Sequence, residues 1–89
     1  MIIDQDYIKT KDKEVAILSM ALGVINMGWI NLDGKMYMLF SHDDRDIVED
    51  VETRWLSGAD IMVNAHMLFR SYEVWNSNLH SFLDEKRYG

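Results

Sequence analysis

The sequence predicts an α+β fold: a small β-α-β-β-α-α domain in which a three-stranded sheet, containing an antiparallel hairpin, packs with three helices. Three observations predict it. Asp33-Gly34 lies between two runs rich in β-formers, "VINMGWINL" and "KMYMLFS", which is a strong signal for a two-residue hairpin turn. Residues 43–56, set at helical steps, bring Ile47, Val48, Val51 and Trp55 into a stripe about 100° wide. Residues 64–86 do the same for Leu68, Phe69, Tyr72, Trp75, Leu79 and Leu83.

Each element has its own local reason. Residues 2–9, "IIDQDYIK", predict a short first strand with Ile3, Tyr7 and Ile8 as its apolar content. "TKDKEVAILSMALG" predicts the first helix. Thr10 or Asp12 caps its free amides, Asp12 and Glu14 sit near its positive end, and Gly23 closes it. Val15, Leu18 and Leu22 form its apolar row, widened by Ala16, Ile17, Met20 and Ala21.

In the hairpin, strict alternation assigns Ile25, Met27, Trp29, Met36, Met38 and Phe40 to one face. Val24, Ile30, Tyr37 and Leu39, with Asn26 and Gly28, fall on the other. Ser41-x-x-Asp44 resembles a capping box and starts the second helix, which Gly58 ends. "ADIMV" is a short apolar connector, read as extended. Asn64 caps the third helix, with His66, Arg70, Glu73, Ser77 and Ser81 along its polar side and Met67 and Val74 pointing outward. No internal repeat or low-complexity segment interrupts this order.

Eighty-nine residues, taken as one domain over 1–89, bury only about 60–65% of their unfolded surface, so each large apolar residue counts. The absence of cysteine excludes disulfides, thiolate metal sites and cysteine nucleophiles, and fits a cytoplasmic location. The longest apolar stretch, "VAILSMALGVI", is broken by Ser19 and Gly23 and falls short of the ~18–20 residues that span a bilayer. "MIIDQDYIK" has neither the basic start nor the cleavage site of a secretion signal. A net charge of −6 opposes nonspecific binding to nucleic acid or anionic membranes. Residues 43–52 concentrate that charge, with six acids against one base.

The chemistry-bearing residues are sparse. His42, Asp43 and Asp44 are metal-ligand types, but no second cluster exists to complete three or four converging ligands, so no metal or cofactor is expected. No glycine-rich phosphate loop and no nucleophile elbow are present. The paired carboxylates of the second helix lie on a polar face, where nothing raises a pKa for acid–base work. The expectation is a protein that is not an enzyme.

The order of strand, "TKD", helix, glycine, hairpin, "FS", acidic helix, "WLSG" and "VNAHMLFRSY" resembles a small uncharacterised domain family common in phages, prophages and bacterial genomes. The resemblance covers residues 7 to 83. It rests on Tyr7, Thr10, Lys11, Asp12, Gly23, Phe40, Val63, Asn64, Leu68, Phe69 and Arg70. Trp29 and the heavier acid load of the second helix depart from the family pattern. The resemblance implies the β-α-β-β-α-α fold and a phage setting, and no activity.

The remaining signals concern binding. Asp46, Glu49, Asp50 and Glu52 form a carboxylate row that could stand in for phosphates in a basic groove; its plainer reading is a solvated helix face. Val24, Ile30, Tyr37 and Leu39 would be an exposed apolar sheet face if all helices lie on one side, with Ile30, Tyr37 and Leu39 as the candidate contacts. Together they predict a non-catalytic, phage-type interaction domain. It would bind and inhibit a host defence or nucleic-acid-handling protein, in an anti-CRISPR-like or other host-takeover role. A second expectation is a homodimer or other structural module joined through the hairpin face. Direct nucleic-acid binding by Lys9, Lys11, Lys13 and Lys35, beside Tyr7 and Tyr37, is the third. The internal methionines suit either adaptable contacts or core filling.

Overall fold

A computed structural model describes residues 1–88. The α+β class is as expected, with one strand more. The elements are β1 (Ile2–Ile3), β2 (Ile8–Thr10), α1 (Lys13–Ala21), β3 (Asn26–Leu32), β4 (Lys35–Phe40), a 3-10 turn (His42–Asp44), α2 (Arg45–Ser57) and α3 (Ala65–Tyr88). The sheet is antiparallel throughout, in the order β1-β2-β4-β3.

The expected first strand divides in two because Asp4 turns the chain. Its carboxylate accepts the amides of Asp6 at 2.9 Å and Tyr7 at 3.0 Å. A short polar side chain that captures amides two and three residues on competes with an extended ladder. Ile2 and Ile3 therefore fold back onto Lys9 and Ile8.

The hairpin turn forms as its dipeptide demands. Asp33 and Gly34 both take positive φ, 53° and 81°, the geometry that matches the twist of two short-looped strands. The side-chain carbonyl of Asn31 accepts the Gly34 amide at 2.9 Å.

The strict alternation fails at one point. Asn26 pairs with Phe40 while Trp29 pairs with Met38, so β3 spends three steps where β4 spends two. The extra residue is a bulge at Met27-Gly28. Gly28 has φ of 114°, which a side chain would strain, and its amide is held by the Asn26 side chain at 2.7 Å. The bulge reverses the faces on its N-terminal side. Val24, expected on the open face, is buried; Ile25 and Met27, expected in the core, are exposed.

The core gathers Ile8, Met36, Met38 and Phe40 from one sheet face with Val15, Ala16, Ile17, Met20, Val48, Val51, Trp75 and Phe82 from the helices. Helix α1 lies at its centre, against α2, α3 and β2. That explains why its buried residues, Val15, Ala16, Ile17, Ser19, Met20 and Ala21, run most of the way round it, while Leu22 of the expected row is exposed. The side chain of Ser41 caps the 3-10 turn, accepting the Asp43 amide at 3.1 Å, and α2 begins only after it. Asn64 caps α3 as expected, accepting the Met67 amide at 3.1 Å. The "ADIMV" connector takes no regular structure.

Helix α3 corrects the expected stripe. Its buried line runs through Ser71, Trp75 and Phe82, with Leu68 and Leu79 half-buried. Phe69 and Leu83 lie outside it. The line is set by what α3 covers: Phe82 meets Trp29 edge to face, with ring centroids 5.8 Å apart and planes at 89°.

Candidate functional site

Charge on α2 is mostly satisfied within the chain. Glu49 receives Arg45 at 2.8 Å, Asp50 receives Arg54 at 3.0 Å, and Glu52 lies 3.6 Å from the N-terminal ammonium. Only Asp46 of the four candidate acids has no cationic partner among the described residues. The row is solvent-facing, as expected. A surface already carrying its own cations presents a weaker field to a basic groove than the sequence charge implies.

The open sheet face holds the other three candidates. Ile30 pairs with Tyr37, and Leu39 pairs with Lys9. None of the three joins the core cluster, so all helices do lie on the opposite face. Ile30 is about one-third exposed and Tyr37 and Leu39 are half-buried, which makes this face less apolar to solvent than the bare alternation suggested.

The most exposed aromatic surface lies elsewhere, where the C-terminal end of α2 meets the N-terminal half of α3. Trp55 and Tyr72 wall an apolar groove of about 160 Å³ whose floor is Ile17, Leu18 and Leu68, with Glu14 beside it. The Lys13 ammonium sits 5.0 Å from the Tyr72 ring centroid and fixes one wall by a cation–π contact. Leu56 and Phe69, the chain neighbours of Trp55 and Leu68, are 76% and 69% exposed. Trp55 itself is nearly half exposed although it belongs to the apolar stripe of α2. Sequence periodicity missed this groove because it placed Trp55, Phe69 and Tyr72 inside. At 100° per residue, Phe69 stands about 140° from a line drawn through Ser71, Trp75 and Phe82, a line that only the burial in the structure reveals.

No three His, Asp or Glu side chains among the described residues gather where a metal could sit. No described helix is long and apolar enough to cross a membrane. The methionines divide: Met20, Met36 and Met38 are core, while Met27, Met62 and Met67 are exposed.

Comparison with protein-family models, with curated proteins and with solved structures returned no match.

Proposed function

We propose that the chain is a small non-catalytic protein-interaction domain whose main contact is the Trp55–Tyr72 groove. The observation that supports this most is the groove's composition. Interface hot spots favour Trp and Tyr in an apolar pocket ringed by further apolar surface. Here Trp55 and Tyr72 form the walls, and Leu56 and Phe69 stand exposed beside them. A rigid helical frame holds them, so little ordering entropy opposes binding. The acids Asp46, Glu49, Asp50 and Glu52 then act as a polar surround that steers encounter and keeps the domain soluble. The phage setting, and inhibition of a host defence or nucleic-acid-handling protein, are part of this proposal on the strength of the sequence resemblance.

The test places a photo-crosslinking amino acid at position 69 and, as a control, at the exposed Gln5 between β1 and β2. Crosslinking to one partner at stoichiometric yield from position 69, lost on Trp55→Ala, is expected. Equal yields from both positions, or indifference to Trp55→Ala, would overturn the reading.

A second reading is favoured by one feature of the sheet. β3 is an edge strand, and Asn26–Leu32 carries no charged residue and no proline to discourage pairing. Two copies joined along β3 would continue the Ile30, Tyr37 and Leu39 face. The bulge at Gly28 limits that pairing to the Trp29–Leu32 half. Sedimentation at high concentration separates the two readings, since only the second requires a dimer.

A further inference from the structure

Cations are the scarce charges in this chain, nine against fifteen acids. Most of those with a visible role are held by carboxylates: Lys9 by Asp4, Arg45 by Glu49, Arg54 by Asp50. Lys11 and Lys35 are not. Both are exposed and neither has an ion pair or a side-chain hydrogen bond among the described residues. They come from separate segments, the residues before α1 and the start of β4. The fold brings them to the rim of one depression of about 430 Å³ whose floor is Met36, Trp75, Leu79 and Phe82. Lys86 approaches the same place from α3. Its ammonium lies 5.8 Å from the Phe82 ring centroid and donates to the Gly34 carbonyl at 3.2 Å.

We propose that this depression, which shares no lining residue with the Trp55–Tyr72 groove, is a docking site for an acidic peptide segment of a partner protein carrying an apolar anchor residue. Three arguments select that occupant. Unneutralised ammonium groups around an aromatic and aliphatic floor complement carboxylates flanking an apolar side chain. The depression is shallow and open to solvent, whereas small-molecule sites enclose most of their ligand. A long polyanion such as nucleic acid would also meet the acids of α2 and the net charge of −6, which a short peptide avoids. Asp12 also lines the depression, and Asp33, Asp84 and Glu85 lie near it in sequence along the hairpin tip and α3. The segment must therefore place its carboxylates toward Lys11, Lys35 and Lys86.

The probe is a synthetic octapeptide, Asp-Asp-Glu-Trp-Leu-Asp-Glu-Asp, titrated into the isotopically labelled full chain at low salt and followed by two-dimensional amide and indole NMR. Saturable shifts centred on Lys11, Lys35, Met36, Leu79 and the Trp75 indole are expected. Lys11→Glu with Lys35→Glu should weaken binding by about tenfold or more, as should added salt. Lys11→Gln with Lys35→Gln should give an intermediate loss. Both positions are exposed, and an unchanged spectrum of the free variants shows that the fold is kept. An Asn/Gln analogue of the peptide should not bind. Absence of shifts at millimolar peptide, shifts centred elsewhere, or equal binding of the neutral analogue would overturn the proposal. So would tighter binding of a single-stranded oligonucleotide at the same residues, or occupation of the depression by a second copy on concentration.

Discussion

The two parts of α3 carry the same kinds of residue and do opposite things with them. In the C-terminal part, taken from Trp75 onward, Trp75 and Phe82 are 6% and 5% exposed, and Phe82 meets Trp29 on the sheet. In the N-terminal part, Met67, Phe69 and Tyr72 are all exposed, and the buried residue is Ser71. The difference lies in what each part covers. The C-terminal part lies over the sheet, where Trp75, Leu79 and Phe82 gather with Met36 and Trp29. The N-terminal part lies against α1, where Ile17 and Leu18 stand beside Leu68 and Tyr72, and Met20 beside Ser71. These large α1 side chains already occupy the space between the helices and leave a small residue as what fits on α3. Ser71 fits there, its hydroxyl donating to the Met67 carbonyl at 2.7 Å. The aromatic residues of this part are therefore surplus to the core, which is why they are the candidates for binding.

The largest effect should come from Trp75→Ala, which opens a cavity where the C-terminal part meets the core. A loss of about 3–5 kcal/mol is expected by chemical denaturation. Phe69→Ala, of the same chemical kind six residues earlier, should change stability by no more than about 0.5 kcal/mol. Similar losses at both positions would mean that the contrast between the two parts is false.

How much of this was legible in the sequence follows the same division. The hairpin, the cap at Asn64 and the polar face of α2 rest on chemistry within a few residues, and they are where the sequence puts them, whereas Ser41 caps a 3-10 turn ahead of α2 and Asp12 makes no side-chain cap for α1. The first strand failed because Asp4 diverts amides that a strand needs, and the side chain that does so looks like any other polar residue. The face assignment of Val24, Ile25 and Met27 failed because a bulge is one residue long and shifts every side chain before it. Among the candidate site residues, Asp46, Glu49, Asp50 and Glu52 were placed correctly on a wet face. The ion pairs of Glu49 with Arg45 and of Asp50 with Arg54 were also readable at i, i+4 spacing. The groove of Trp55 and Tyr72 was not readable, since it depends on how close α1 and α3 come, which is set by side chains on both helices.

The bulge gives the next effect in size, and it tests the sheet side of the comparison. Gly28→Ala puts a Cβ on a backbone with φ of 114°, although nothing lies within 4 Å to clash with it. The cost is conformational strain, about 1–3 kcal/mol. If Trp29 depends on the bulge for its place against Phe82, the upfield-shifted Phe82 ring resonances should move as well. Unchanged stability would mean that β3 can re-register, and the faces of Ile25 and Met27 would then need reassignment.

Ser19→Ala sharpens the α1 side and should stabilise. Ser71 has a partner for its hydroxyl; the buried Ser19 hydroxyl has none among the described residues. Removing an unpaired buried polar atom, and adding the best helix former, should raise stability by roughly 0.5–1 kcal/mol. Destabilisation would show that Ser19 makes a hydrogen bond in solution.

The smallest effect belongs to the edge most remote from α3, the turn between β1 and β2. The Lys9 ammonium, helped by the amides of Tyr7 and Asp6, holds the Asp4 carboxyl well below the usual carboxylate range. A carboxyl titrating lower when folded than when unfolded lends stability above its ordinary value of about 3.9, and loses it as pH falls toward the depressed value. The group is solvent-exposed, so screening keeps the contribution local. Asp4→Ala should therefore leave the unfolding midpoint at neutral pH nearly unchanged while the Asp6 and Tyr7 amides lose protection in hydrogen exchange. In the unaltered chain the same two amides should lose protection as pH is lowered below about 4, before the Trp75 region responds. Simultaneous loss in both places would tie β1 into the cooperative core. The exposed half of α3 would then be the one part of the fold free of it.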